Sequence, residues 1–320
     1  GRAAARRRPM TSVAVLGAGG VGGFVAAALA RSGTATTIVA RPQTAAAIAR
    51  HGLRVSSRLL GDFEARPATA AHLREPVDAL LVATKATGLE AALDRVRGLP
   101  PLVVPLLNGL DHLELLRSRF DAERVAAAVI RVESDRPQTG VIVQTSPGCR
   151  IDVTGDGAAV TAVAGVLRTA GLEVRTGVPE ALVMWSKLAR LCPLALTTTA
   201  FDATIGELRA DPAGREALHG AVTETVAVAV ADGAPLVAAD SLAELEQAHP
   251  GLGSSMRRDV AAGRPTELNA IAGAVLRAGA RHRLSCPTVA ELARRVAARA
   301  REPMPTAYSG GRIGSPGPSA

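Results

Sequence analysis

Lysine is nearly missing from this chain. Of its 37 lysine and arginine residues only Lys85 and Lys187 are lysine, and the other 35 are arginine. On a solvated surface the two side chains are nearly interchangeable, but a site that needs a compact proton donor with an adjustable pKa takes an ammonium and not a guanidinium. Two lysines that survive such a bias are candidates for chemistry. Asparagine is equally thin, with Asn108 and Asn269 alone. Aromatic residues are scarce too: one Trp (Trp185), one Tyr (Tyr308) and four Phe, so the core must be built from Ala, Val and Leu.

The remaining absences narrow the function class. Cys149, Cys192 and Cys286 are the only cysteines, far apart and without a C-x-x-C, which fits a reducing cytoplasm better than a disulfide framework. The formal charge is +8, but the arginines are scattered and the one dense run is Arg6-Arg7-Arg8. Without a basic face interleaved with aromatics to stack bases, nucleic acid is not an expected partner. No segment has some 18 uninterrupted apolar residues, so no membrane span is expected. Residues Arg6–Arg8, the apolar stretch from Val13 and Ala28-Leu29-Ala30 imitate a secretory signal, but five glycines (Gly17, Gly19, Gly20, Gly22, Gly23) interrupt the supposed apolar core. Met10 reads as the natural start, and residues 1–10 as a disordered extension.

What is present is a change of pattern along 320 residues that are 48% hydrophobic. The first half alternates short apolar strands with helical stretches: Val13–Gly17, Thr36–Ala40, Val77–Thr84 and Leu102–Leu107 read as buried parallel strands, with Val21–Ser32 as a helix stopped by Gly33. Val125–Val132 and Gly140–Gln144 read as later strands, the second as one arm of a hairpin. This alternation predicts a doubly wound α/β sheet. From Pro179 the pattern becomes all-helical, over 179–200, 204–210, 212–232, 238–248, 254–262, 266–280 and 287–301. The predicted organisation is an α/β Rossmann-type nucleotide-binding domain over 11–178, an all-α domain over 179–301 and a Gly/Pro/Ser-rich disordered tail over 302–320.

Gly17-Ala18-Gly19-Gly20-Val21-Gly22 is G-x-G-x-x-G, placed directly after a strand and opening a helix. In a dinucleotide fold the first glycine makes the tight turn, the second admits the pyrophosphate and the third lets helix and strand pack closely. The phosphates then meet unpaired N–H groups at the helix N-terminus. The second strand ends in Val39-Ala40-Arg41 with no acid nearby, which suits a 2′-phosphate and favours NADP(H) over NAD(H).

Lys85 and Asn108 each follow a buried strand, at the sheet edge where open α/β folds bind ligands. Lys187 lies on the first helix past the break, and Asn269 lies near Glu267 on a later one. In these motifs the chain resembles the ketopantoate reductase (2-dehydropantoate 2-reductase) family from about residue 11 to 300. The likeness rests on GAGGVG with Arg41 following, TKA around Lys85, LLNG around Asn108, W-x-K-L around Lys187, Gly206-Glu207-Leu208, and Ser254-Ser255-Met256-x-x-Asp259 with Thr266-Glu267. The resemblance implies NADPH-dependent reduction of a 2-keto acid, ketopantoate to pantoate on the route to pantothenate. It implies Lys187 as the acid that protonates the developing alkoxide and Glu267 as the group that orients the lysine or cofactor. It further implies Ser255 as holder of the substrate carboxylate, Asn108 between nicotinamide and substrate, and Lys85 lining the cofactor cleft. A monomer or homodimer is expected.

The chain departs from the family where amides are usual: Leu191 and Ala195 follow Lys187, and Ile205 precedes the GEL motif. Apolar replacements there point to a more apolar 2-keto acid or weak ketopantoate binding. Two alternatives stay open, a β-hydroxyacid-dehydrogenase-like reductase and a non-catalytic NADP(H)-binding paralogue. The six histidines show no metal-ligand spacing. Cys192 has no neighbouring histidine, which favours a buried helix cysteine over a thiol nucleophile. Trp185 reads as a packing anchor, with a substrate-lining role as the other possibility.

Overall fold

A computed structural model describes residues 12–305, so the predicted extension over 1–10 and the predicted tail from 306 lie outside the described residues. The chain divides into two compact units, the first ending at Lys187 and the second starting at Leu188.

The first unit runs β1 (Ser12–Leu16), α1 (Gly20–Arg31), β2 (Ala35–Val39), α2 (Pro42–His51), β3 (Leu53–Ser57), β4 (Phe63–Ala65), β5 (Ala68–Ala70), β6 (Ala79–Val82), α3 (Leu89–Leu93), β7 (Val103–Pro105), α4 (His112–Phe120), β8 (Ala128–Arg131), β9 (Ser134–Gln138), β10 (Val141–Gln144), β11 (Arg150–Val153), α5 (Ala158–Thr169) and β12 (Glu173–Arg175). Five strands form a parallel sheet in the order β5-β2-β1-β6-β7. The order reverses beside β1, the switch point at which such sheets take their ligands. The central strands are mostly apolar, as strands covered on both faces are, and every residue of β6 is buried.

The parallel sheet is the one expected from the alternation, and the later strands do not extend it. β10 pairs with β3 in parallel and with β9 as a hairpin, giving a separate sheet in the order β4-β3-β10-β9. This sheet lies against α1, where a Cβ on Gly20 would stand 2.2 Å from the Ser134 carbonyl oxygen and one on Gly23 would stand 2.5 Å from Ile142 Cδ1. A third sheet, β12-β11-β8, completes the unit. Strand periodicity reports which face is buried but not which strand is the neighbour.

The second unit takes its residues from α6 (Glu180–Ala200, from Leu188 on), α7 (Ile205–Ala210), α8 (Pro212–Ala231), α9 (Ala238–Glu246), α10 (Ser255–Ala261), a π-helical turn over Asn269–Gly273 that leads into α11 (Ala274–Arg281), and α12 (Pro287–Ala300). The division falls inside α6, whereas the composition break lies at 176–179. The reason is packing: Val183 and Met184, in the first turns of α6, belong to the same buried cluster as Leu80, Val82, Val103 and Leu107 of the parallel sheet. Glu302 does not begin a loose tail either, because its carboxylate accepts hydrogen bonds from Thr266 N at 2.7 Å and Thr266 Oγ1 at 2.5 Å. Among the described residues no helix is long and apolar enough to cross a membrane.

Candidate active site

Four of the sequence-selected positions stand at one edge of the parallel sheet. Leu16 at the end of β1 is in register with Val39 of β2 and with Val82 of β6, and Val82 is in register with Pro105 of β7. The glycine loop, Arg41, Lys85 and Asn108 therefore all follow the carboxyl ends of parallel strands.

The glycine loop is built as a dinucleotide loop requires. Gly17 has φ +108°, and a Cβ there would lie 2.7 Å from the Ala83 carbonyl oxygen. A Cβ on Gly22 would meet the Gly17 carbonyl oxygen at 2.0 Å, so the third glycine is what lets α1 sit on β1. Gly19 caps α1, no side chain caps the helix and no acid lies in its first turn, while a Cβ on Gly19 would meet nothing within 4 Å. Open space over uncapped N–H groups at a helix start fits a pyrophosphate. The contrast gives an expectation for stability. Gly22→Ala should cost about 2 kcal/mol or more by forced displacement of backbone, lowering Tm by roughly 5 °C in a thermal melt. Gly19→Ala should leave Tm unchanged.

Arg41 is exposed at the head of α2, directly after β2. Lys85 is exposed at the turn after β6, heading a 3-10 turn over Ala86–Gly88.

Lys187 and Asn108 are brought together. The Lys187 ammonium donates to Asn108 Oδ1 at 2.6 Å, from half-buried positions on α6 and on the loop after β7. Both belong to the unit that carries the glycine loop, although sequence reasoning assigned Lys187 to the helical half. A residue that sequence reasoning passed over joins them. His112 opens α4 with 5% exposure, and neither ring nitrogen has a hydrogen-bond partner. Burial pushes its pKa down from 6.5 to about 4, Asp111 raises it in part, and the Lys187 charge lowers it further. The Asn108 carbonyl pulls the other way by proximity, without hydrogen-bond geometry. The signal available in the sequence was His112 standing four residues after Asn108 in one short loop-to-helix segment.

The helical unit carries the other nominated residues. Ser254 caps α10, accepting from Arg257 N at 3.1 Å and bonding Thr198 Oγ1 at 2.8 Å, and Ser255 is exposed on the first turn beside it. Glu267 is half-buried, one residue past the Thr266 that Glu302 holds and just ahead of the π-helical turn. Such turns are frequent at functional sites because they shift one side chain out of helical register. Glu207 of the GEL motif forms a capping box with Thr204, a structural role. Of the three apolar replacements, Ile205 and Ala195 are closed inside the unit at 0% and 1% exposure, and Leu191 is half-buried.

Burial pushes the thiols of Cys149 and Cys192 up to about 12 and that of Cys286 to about 11. All three stay protonated at neutral pH, which makes them poor nucleophiles. Trp185 is 1% exposed and acts in packing. Among the described residues no group of three or more His, Cys, Asp or Glu could hold a metal ion.

Known proteins share this fold. The family model described as Ketopantoate reductase PanE/ApbA matches residues 13–153, and its C-terminal counterpart matches 181–300. A 2-dehydropantoate 2-reductase of Caulobacter vibrioides is 31% identical over 287 residues, covering 87% of this chain and 95% of that protein. The crystal structure of 2-dehydropantoate 2-reductase from Geobacter metallireducens superposes with a TM-score of 0.81 at 27% identity, covering 89% of this chain and 98% of that one. D-mandelate dehydrogenase with NADH and anilino(oxo)acetate has the same fold, with a TM-score of 0.82 at 21% identity and coverage of 91% and 98%.

Proposed function

The chain belongs to the ketopantoate reductase family, oxidoreductases that turn a 2-keto acid into the 2-hydroxy acid, and we propose that it reduces ketopantoate with NADPH, with Lys187 as proton donor. The observation that carries this reading is the Lys187 ammonium held at 2.6 Å on Asn108 Oδ1, in the same unit as the glycine loop. NADPH when bound supplies a hydride to the keto carbon. The backbone N–H groups of Gly19, Gly20 and Val21 would hold the pyrophosphate, Arg41 the 2′-phosphate, and Lys85 would line the cleft. Ser255 would hold the substrate carboxylate. As the keto carbon is reduced, negative charge grows on its oxygen. The Lys187 ammonium stabilises that oxyanion and then gives it the proton from Nζ. Asn108 Oδ1 aims the ammonium, and Glu267 orients the lysine or the cofactor.

NADPH consumption with ketopantoate and a panel of other 2-keto acids tests the reading. Turnover of ketopantoate supports it. Cofactor binding with no turnover across the panel would leave a non-catalytic paralogue. A second reading, a more apolar 2-keto acid such as phenylglyoxylate, rests on half-buried Leu191, four residues past Lys187 on the same helix.

Cofactor choice is tested at Arg41. Arg41→Ala removes charge-assisted hydrogen bonds worth about 1.5–3 kcal/mol, so KM for NADPH should rise roughly 10- to 100-fold while KM for NADH stays unchanged. Equal weakening of both cofactors would remove Arg41 from 2′-phosphate recognition.

A further inference from the structure

Arg131 ends β8 with its guanidinium between a sheet and a helix. One arm, Nη1, is paired with Asp152 Oδ2 on the adjacent strand β11. The other arm, Nη2, donates to Ser186 Oγ at 2.7 Å. The Ser186 hydroxyl in turn donates to the Val183 carbonyl at 3.4 Å, so it is held from both sides. Asp152 is 8% exposed in its side chain and has Arg150 Nε at 3.3 Å as a second positive neighbour. The pairing with Asp152 fixes where the Arg131 fork lies, and the planar fork fixes where the second arm reaches.

Ser186 is the residue before Lys187. Successive residues on an α-helix project about 100° apart, so a clamp that holds the direction of Ser186 also sets the direction in which Lys187 leaves the helix. Lys187 meets Asn108 Oδ1 on that bearing at 2.6 Å. We propose that Arg131, oriented by Asp152, is a positioning residue for the reduction: through Ser186 it holds the first turns of α6 in the rotation that delivers the Lys187 ammonium to Asn108 and the reacting oxygen. This rests on Lys187 being the proton donor. An ion pair that merely stabilises the sheet would leave Lys187 unaffected when only the Ser186 hydroxyl is removed.

Ser186→Ala and Ser186→Thr in the full chain separate the two, because both leave the Arg131–Asp152 pair intact. Loss of one positioning hydrogen bond should lower kcat about tenfold in Ser186→Ala, with KM for NADPH unchanged. Ser186→Thr keeps a hydroxyl and should restore most of kcat. Arg131→Met should fall further, about 100-fold. The scarcity of lysine supplies a readout that does not depend on turnover: protein labelled with ¹³C at lysine Cε has signals from Lys85 and Lys187 alone, and Lys187→Arg assigns them. The Lys187 signal should move in Ser186→Ala and return in Ser186→Thr, with the Lys85 signal fixed. An unmoved Lys187 signal in Ser186→Ala, or a kcat that falls equally in the alanine and threonine variants, would overturn the proposal. If the wild type turns over no keto acid, the proposed function fails while the Lys187 signal still reports on the clamp. If the wild type is active and Ser186→Ala is unchanged, the clamp fails and the function stands.

Discussion

Replacing Lys187 by alanine is expected to lower kcat for keto-acid reduction by about 10³-fold or more, the scale of losing a general acid together with an oxyanion-stabilising charge. NADPH affinity should change by less than about twofold, because in the proposed function Arg41 and the glycine loop would carry the charge recognition of the cofactor. The first quantity is read from NADPH absorbance under substrate saturation and the second from a fluorescence titration. Lys187→Arg divides the effect into its parts. A guanidinium keeps the positive charge beside Asn108 but stays protonated far above neutral pH. The arginine variant should therefore retain some oxyanion stabilisation and lose proton transfer, and its kcat should fall nearly as far as that of the alanine variant. Equal turnover in wild type and Lys187→Ala would remove the lysine from the mechanism.

The second large effect concerns stability and follows from the burial of a basic ring. His112 is neutral in the folded protein down to about pH 4, whereas an unfolded chain protonates it near 6.5. Between those values the unfolded state binds more protons, so the stability associated with His112 is fully present above pH 6.5 and is lost as pH falls toward 4. The loss amounts to roughly 2 kcal/mol by pH 5 and about 3 kcal/mol by pH 4. Because neither ring nitrogen has a hydrogen-bond partner, His112→Leu removes no bond. It is expected to leave stability at pH 7 unchanged or raised by about 1 kcal/mol, and to abolish that share of the acid sensitivity. Urea unfolding of both proteins at pH 7 and pH 5 measures this. A wild type and a His112→Leu variant with the same pH slope would refute it.

The second half of the chain was the more legible in sequence. Seven helical stretches read from a pattern without strand signals match α6 to α12 within a few residues, with a π-helical turn leading into α11. Helix periodicity and helix caps are local properties, which is why they survive translation into structure. Four of the five strands of the parallel sheet, β1, β2, β6 and β7, were equally plain because burial makes them mostly apolar, whereas the edge strand β5, an exposed to half-buried Ala-Thr-Ala, left no pattern to read. The two smaller sheets were not plain. β3, β4 and β11 left too weak a pattern to read, and the partner of β10 is β3, nearly ninety residues earlier in the chain. Within the candidate site, Lys187 stood out by rarity and motif, but its hydrogen bond to Asn108, 79 residues away in sequence, did not.

By itself the sequence determined the fold class and the family and nominated positions for chemistry, since glycines, strand ends and a surviving lysine are each recognisable from a few neighbouring residues. Only the tertiary structure decided which of those residues act on one another. It assigned Lys187 to the same unit as the glycine loop, left His112 buried without a partner, closed Ile205 and Ala195 into a core, and set Arg131 between Asp152 and Ser186. The physical reason is range. Propensity and periodicity act over a turn or a strand, whereas a buried ion pair, a desolvated ring or an aimed ammonium depends on groups that only the folded chain brings within hydrogen-bonding distance.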